Sequence, residues 1–288
     1  MSAAEPPVDM YFEDFHVGQV FLSEPHQVTE DDLMAFAEVS GDHSALHTNA
    51  AYAATTQFGQ RLVHGPYGLV RFFGSLHDSG IVDKTAIALL DTNWTYHAPV
   101  FVEDELSYEC TITRCRRTRS GDKGVVSRHV AVRRGDGVIA QSGTTSILVT
   151  AREDLAVAAD PFGLDFCGRR WATELMRRLN ASAEFSASCG SFDGTIGLRA
   201  RETETHLRIY RGKVIEASPR TPLGATFTVQ ATELTWLQHV SSKRNEFMER
   251  ALRDEFSVSG NSYEYLRLTK ALMLIWDAAR AMAQETIR

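Results

Sequence analysis

The run Gly41-Asp42-His43-Ser44-Ala45-Leu46-His47 sets a carboxylate and an imidazole five positions apart. In a curved loop both side chains can converge on one small molecule, and water fits that role. Such a pair moves a proton in either direction near neutral pH. The same spacing also occurs among ordinary solvated loop residues. A second element is Leu62-Val63-His64-Gly65-Pro66. Glycine lets the backbone approach a ligand closely, and a helix N-terminus offers free N–H groups to a developing oxyanion. A tight turn is the plainer use of that glycine. Cys110, Cys115, Cys167 and Cys189 form no CxxC pair and have no histidine at metal-ligand spacing, so buried free thiols and no metal are expected.

The elements that must hold these residues are legible. Thr29 serves as N-cap of a helix to Val39, with Glu30, Asp31 and Asp32 in its first turn and an apolar stripe behind. Residues 40–49 read as a loop and 50–55 as a short helix. The mostly apolar 62–76 reads as a buried helix entered through the His64-Gly65-Pro66 turn. The period then changes to two, giving strands at 86–96, 105–114, 124–133 and 138–149 with turns at Gly121-Asp122 and 135–137. Close turns between sequential strands imply an antiparallel sheet, and one long helix against it implies an α+β domain. Arg116, Arg117 and Arg119 flank a turn and read as a solvated hairpin tip, with CoA phosphates as the alternative.

The length of 288 residues suggests about two domains at roughly 150 residues each. Up to Thr150 there are 11 Lys and Arg against 19 Asp and Glu, and beyond it 19 against 18. That shift places a boundary near 150, with 151–165 as linker-like chain. The net charge of -7 argues against nucleic acid as the main partner. No run approaches the ~20 apolar residues of a membrane span. Residues 1–15 have no secretory-signal pattern, and 284–288 carry no retention, peroxisomal or prenylation signal. A cytoplasmic protein is expected.

Several motifs then occur in one order: Gly41-Asp42, Leu46-His47, the segment 50–58, Val63-His64-Gly65, and Ala98 to Leu106. Together they resemble the MaoC-like R-specific enoyl-CoA hydratases across residues 1–152. The resemblance implies a hotdog fold, a long helix wrapped by an antiparallel sheet, and a homodimer. It implies Asp42 and His47 as the catalytic pair, with Gly65 and its neighbour His64 at the oxyanion or substrate-binding position. The substrate would be an acyl-CoA or acyl-carrier thioester, hydrated or formed by dehydration, with no further cofactor. The strongly acidic first half favours CoA over an acidic carrier protein. The chain departs from the family pattern at Ser44-Ala45, at Glu103-Asp104, and at Phe73, where a serine is common. The departures at Ser44-Ala45 and Phe73 motivate one rival, a non-catalytic acyl-binding protein; a hotdog thioesterase is another, disfavoured by the lack of an extra acidic residue on the 62–76 helix.

The second half opens with a helix at 168–179. Strands are expected at 183–189, 194–201, 203–210, 212–217 and 225–231, then helices at 232–239 and 242–254 and a strand at 256–258. Asn261 is expected to cap one long closing helix to about Gln284. This order resembles a sterol-carrier-protein domain over 165–288. The resemblance implies an apolar cavity for a fatty acyl or sterol ligand, against the alternative that Leu272 and its neighbours are simply core.

Overall fold

The computed structural model describes residues 9–152 and 162–287, and the chain divides into two compact units, Met1–Val157 and Ala158–Arg288. Most of the linker-like passage lies outside the described residues, as do residues 1–8.

The first unit begins with a 3-10 turn at Phe12–Asp14 and two short strands, β1 (Val20–Leu22) and β2 (His26–Gln27), which the sequence pattern had not shown. Helices α1 (Glu30–Ser40), α2 (Ala45–Thr48), α3 (Ala50–Ala54) and α4 (Tyr67–Asp78) follow. Strands β3 (Ala86–Tyr96), β4 (Glu105–Arg117), β5 (Lys123–Arg134) and β6 (Ile139–Thr150) complete the unit. The sheet runs β1-β4-β5-β6-β3, with β2 also on β4, and every pairing is antiparallel. This is the α+β arrangement expected of the first half, a long helix against an antiparallel sheet.

Local chemistry sets the ends of α1. Thr29 Oγ1 accepts the Asp32 N–H at 3.1 Å, and the Asp32 carboxylate accepts the Thr29 N–H at 2.9 Å. This capping box satisfies two donors that the helix cannot. Gly41 stops the helix at φ 71°, a left-handed backbone that glycine adopts without strain. Helix α4 buries Phe72 among Leu106, Tyr108, Val130 and Val132 of the sheet. Truncating such a phenylalanine costs about 3–5 kcal/mol. Near the start of α4 the helix lies so close to β6 that a Cβ on Gly68 would stand 2.5 Å from the Gln141 side chain.

Strand β3 lies at the sheet edge, paired with β6. Ile87, Leu89 and Leu90 are about half exposed along it. A long apolar edge is a template for another strand.

Arg117 corrects the hairpin-tip expectation. Its side chain is buried, pairs with Glu13 at 2.7 Å, and lies over the Phe12 ring at 5.0 Å. The 3-10 turn folds back over the end of β4 and removes it from solvent. Cys110, Cys167 and Cys189 are buried and Cys115 is half-buried, all as free thiols. Burial pushes the Cys110 thiol up to about 11, which keeps it protonated and unreactive.

The second unit contains α5 (Arg169–Ala181), α6 (Ala183–Ser188), β7 (Asp193–Ala200), β8 (Thr203–Tyr210), β9 (Lys213–Ser218) and β10 (Phe227–Ala231). Then come α7 (Glu233–Ser241), α8 (Phe247–Leu252), β11 (Ser257–Gly260), α9 (Ser262–Arg267) and α10 (Thr269–Ile287). Its sheet runs β11-β10-β7-β8-β9, with β10 and β7 parallel. It too is an α+β region. Two expectations are corrected. Residues 183–188 are helix, not strand, because Ser182 Oγ accepts the Phe185 N–H and Phe185 and Cys189 bury one helical face. The closing helix is two helices. Asn261 caps only α9, and the chain turns at the buried Leu268 before α10 begins. Trp236, His239, Phe247, Phe256 and Trp276 form a continuous ring cluster against α10. Leu272 is buried in this interior. Among the described residues no helix is long and apolar enough to cross a membrane.

Candidate active site

Helix α1 delivers the chain to Asp42 through the Gly41 turn. The Asp42 carboxylate accepts the Ser44 N–H at 3.1 Å, and its own N–H donates to Ser40 Oγ at 3.2 Å. One turn of helix later, α2 presents His47. Its Nδ1 stands 2.8 Å from the carbonyl of Leu62. A carbonyl only accepts, so Nδ1 carries the proton and a neutral ring has its lone pair on Nε2. That Nε2 faces the Asp42 carboxylate at 3.9 Å. The gap is too long for a direct hydrogen bond, and it is wide enough for a water about 2.8 Å from each atom. Asp42 is more than half exposed, so the pair is open to solvent, whereas the His47 side chain is only 14% exposed.

His64 is 2% exposed and supports both members of the pair. Its Nε2–H donates to the main-chain oxygen of Asp42 at 2.9 Å. Its ring stacks on His47 with centroids 3.9 Å apart and 27° between planes. Phe36 of α1 packs on its other side at 5.1 Å. These contacts make His64 a positioning residue for the Asp42 loop and the His47 ring.

Gly65 follows directly and precedes α4. Its carbonyl accepts the Gln141 Nε2–H at 3.1 Å, and Gln141 Oε1 accepts the Trp94 Nε1–H at 2.9 Å. The N–H of Gly65 donates to no protein acceptor among the described residues. A Cβ there would stand 3.3 Å from the Tyr96 ring, so the glycine lets that ring pack closely against the backbone. The peptide that carries the Gly65 N–H is held through its own carbonyl, that of His64, which accepts the Tyr67 N–H at 3.0 Å, while Gln141 holds the next peptide; a donor fixed in this way suits an oxyanion. Below it, His26 Nε2 lies 3.0 Å from the Tyr67 hydroxyl and 3.4 Å from Asp32, tying the start of α4 to that of α1. Burial and the Asp32 charge push the Tyr67 hydroxyl above its usual range.

The structure thus brings together Asp42, His47, His64 and Gly65. Gln141, Trp94 and Tyr96 were not anticipated. The available signal was Gln141, an amide at a strand position that the sheet buries, where an unpaired polar group is costly. Asp42, His47 and His64 also offer one ligand atom each within 4.8 Å of one another, spacing a metal ion would accept.

A family model described as "MaoC like domain" matches residues 14–133. Protein MaoC of Klebsiella aerogenes is 31% identical over 119 residues, 41% of this chain and 35% of that protein. The chain thus spans about a third of that relative's length. An (R)-specific enoyl-CoA hydratase of Aeromonas caviae is 32% identical over 112 residues, 39% of this chain and 79% of the relative. The crystal structure of a MaoC-like dehydratase from Rhodospirillum rubrum aligns with a TM-score of 0.46 at 25% identity, covering 50% of this chain and 98% of that one.

Proposed function

The chain belongs to the MaoC-like family, and on that footing we propose that its first half adds water to a 2-enoyl-CoA, giving the (R)-3-hydroxyacyl-CoA, or catalyses the reverse dehydration. The observation that carries the reading is the 3.9 Å gap between a carboxylate and a histidine nitrogen whose tautomer is set by Leu62. Water held between Asp42 and His47 loses a proton to this pair as its oxygen bonds to the β-carbon. The electron pair of the double bond moves towards the thioester carbonyl. The Gly65 N–H donates to the enolate-like oxygen, and loss of one such donor costs about 3–4 kcal/mol elsewhere. The proton returns to the α-carbon, so atoms balance and the carbons undergo no net oxidation or reduction. Dehydration runs through the same groups in reverse.

CoA rather than an acyl carrier protein fits the acidic first half, because two acidic surfaces repel. The exposed apolar edge of β3 supports a homodimer formed by pairing that edge with its copy. We place the protein in the cytoplasm, where acyl-CoA is available. For the second half we propose carriage of a fatty acyl or sterol ligand, supported by the order of sheet then helices and by the apolar length of α10. Uptake of an apolar fluorescent probe tests it, and no binding at any concentration sinks it.

The main test is hydration of a panel of trans-2-enoyl-CoAs, followed by loss of the enoyl-thioester absorbance. Turnover with formation of the (R)-alcohol, unaffected by a chelator, is expected. Inactivity across the panel rejects the enzyme. Release of free CoA from saturated acyl-CoA would indicate a thioesterase instead.

A further inference from the structure

Along β5, residues 126, 128, 130 and 132 share the face that packs on the helix side, because side chains alternate on a strand. Val126 belongs to one buried cluster, and Val130 and Val132 to another. The residue between them is Arg128, only 4% exposed. Its Nε–H donates to Thr145 Oγ1 at 2.6 Å, and its guanidinium lies 5.3 Å from the Phe72 ring centroid. Among the described residues no carboxylate pairs with it or acts on its charge. A buried guanidinium without a carboxylate carries a desolvation penalty that one hydroxyl and one ring face offset only in part.

Arg128 also lines a cavity of about 410 Å3 with Phe73, Leu76, Val82, Ile87 and Ile147. That is the size of a small-molecule site, and its mostly apolar lining carries Arg128, His77 and Asp83 as polar groups. The cavity lies along α4 from Gly65. Phe73 and Leu76 follow Gly65 by 8 and 11 residues, which at the helical rise is about 12–16 Å. An acyl chain that left the Gly65 N–H along α4 would reach this cavity at about that length. Asp83 stands at the cavity wall, but its carboxylate is engaged by His77 Nδ1 at 3.0 Å.

Resting on the hydratase reading, we propose that the acyl chain accepted in this cavity ends in a carboxylate that Arg128 holds. The substrate class is then medium-chain ω-carboxy-2-enoyl thioesters, and Arg128 is the specificity residue. A guanidinium binds a carboxylate through two parallel N–H donors, which a plain methyl end cannot use.

The test needs no turnover. Titrate the full-length protein calorimetrically with decanoyl-CoA and with its ω-carboxy analogue. The analogue should bind at least about tenfold tighter, and Arg128→Met should erase the difference, as for close charge pairs elsewhere. Equal affinity in the wild type overturns the proposal whatever a variant does. So does a preference that survives in folded Arg128→Met. If that variant does not fold, Arg128→Lys must shrink the preference several-fold, since a point charge replaces the fork, and an unchanged preference overturns the proposal. Crotonyl-CoA, too short to reach Arg128, reads the catalytic assignment separately. No crotonyl-CoA hydration together with Arg128-dependent ω-carboxy binding rejects the hydratase and keeps the pocket. Hydration without the preference does the opposite.

Discussion

Asp42→Asn separates chemistry from architecture at this site. The amide has the same shape as the carboxylate, and its oxygen continues to accept the Ser44 N–H. The main-chain oxygen of residue 42 continues to hold His64. What disappears is the negative charge and proton acceptor 3.9 Å from His47 Nε2. General acid–base groups contribute roughly 10²–10⁴-fold. That corresponds to about 3–5 kcal/mol of transition-state stabilisation. Stability should barely change, because the side chain is 55% exposed and a pair so open to water is worth about 1 kcal/mol or less. The assay is kcat for crotonyl-CoA hydration beside a urea denaturation midpoint. A fall in kcat of at least ~100-fold with an unchanged midpoint is expected. A loss of kcat under about tenfold, or a midpoint that drops with it, would refute the role of Asp42 as a proton-transfer group.

Three further outcomes follow from the packing. Gln141→Leu removes the clamp between Trp94 and the Gly65 carbonyl; each orphaned group costs about 1–3 kcal/mol, and kcat should fall while KM changes less, which steady-state kinetics and thermal melts resolve. Glu13→Gln takes the carboxylate from the buried Arg117 and should destabilise the first unit by about 3 kcal/mol, read as a lowered denaturation midpoint. Burial and the nearby Arg250 and Arg280 charges depress His239 to about 4 from an ordinary 6.5, so the unfolded chain binds its proton first as pH falls. Stability should therefore be full above about pH 6.5 and decline towards pH 4, by roughly 3 kcal/mol in all, and His239→Phe should flatten that slope in acid unfolding followed by tryptophan fluorescence.

The Asp42–His47 pair was legible because its geometry is local. Thr29 and Asp32 start α1, Gly41 ends it, and Asp42 and His47 sit within the next seven residues, so few backbone torsions separate them. The four long strands were legible for the same reason, as period-two runs between glycine turns. What holds the site could not be read that way. Gln141 reaches Gly65 across 76 residues, and Arg117 meets Glu13 across 104. Such pairs depend on which strands lie side by side and on how closely α4 approaches β6, and neither is encoded in spacing along the chain. The same holds for Arg128, which as sequence is one more charge in a basic run. Only the sheet reveals that its alternate neighbours are core and that it stands inside. Residues 183–188 went the other way, because a short polar-apolar run suits strand and helix alike until Ser182 and the buried face of Phe185 decide. Local propensity thus determined the chemistry on offer here. The long-range packing decided which peptide beside the site is held and which cation is buried.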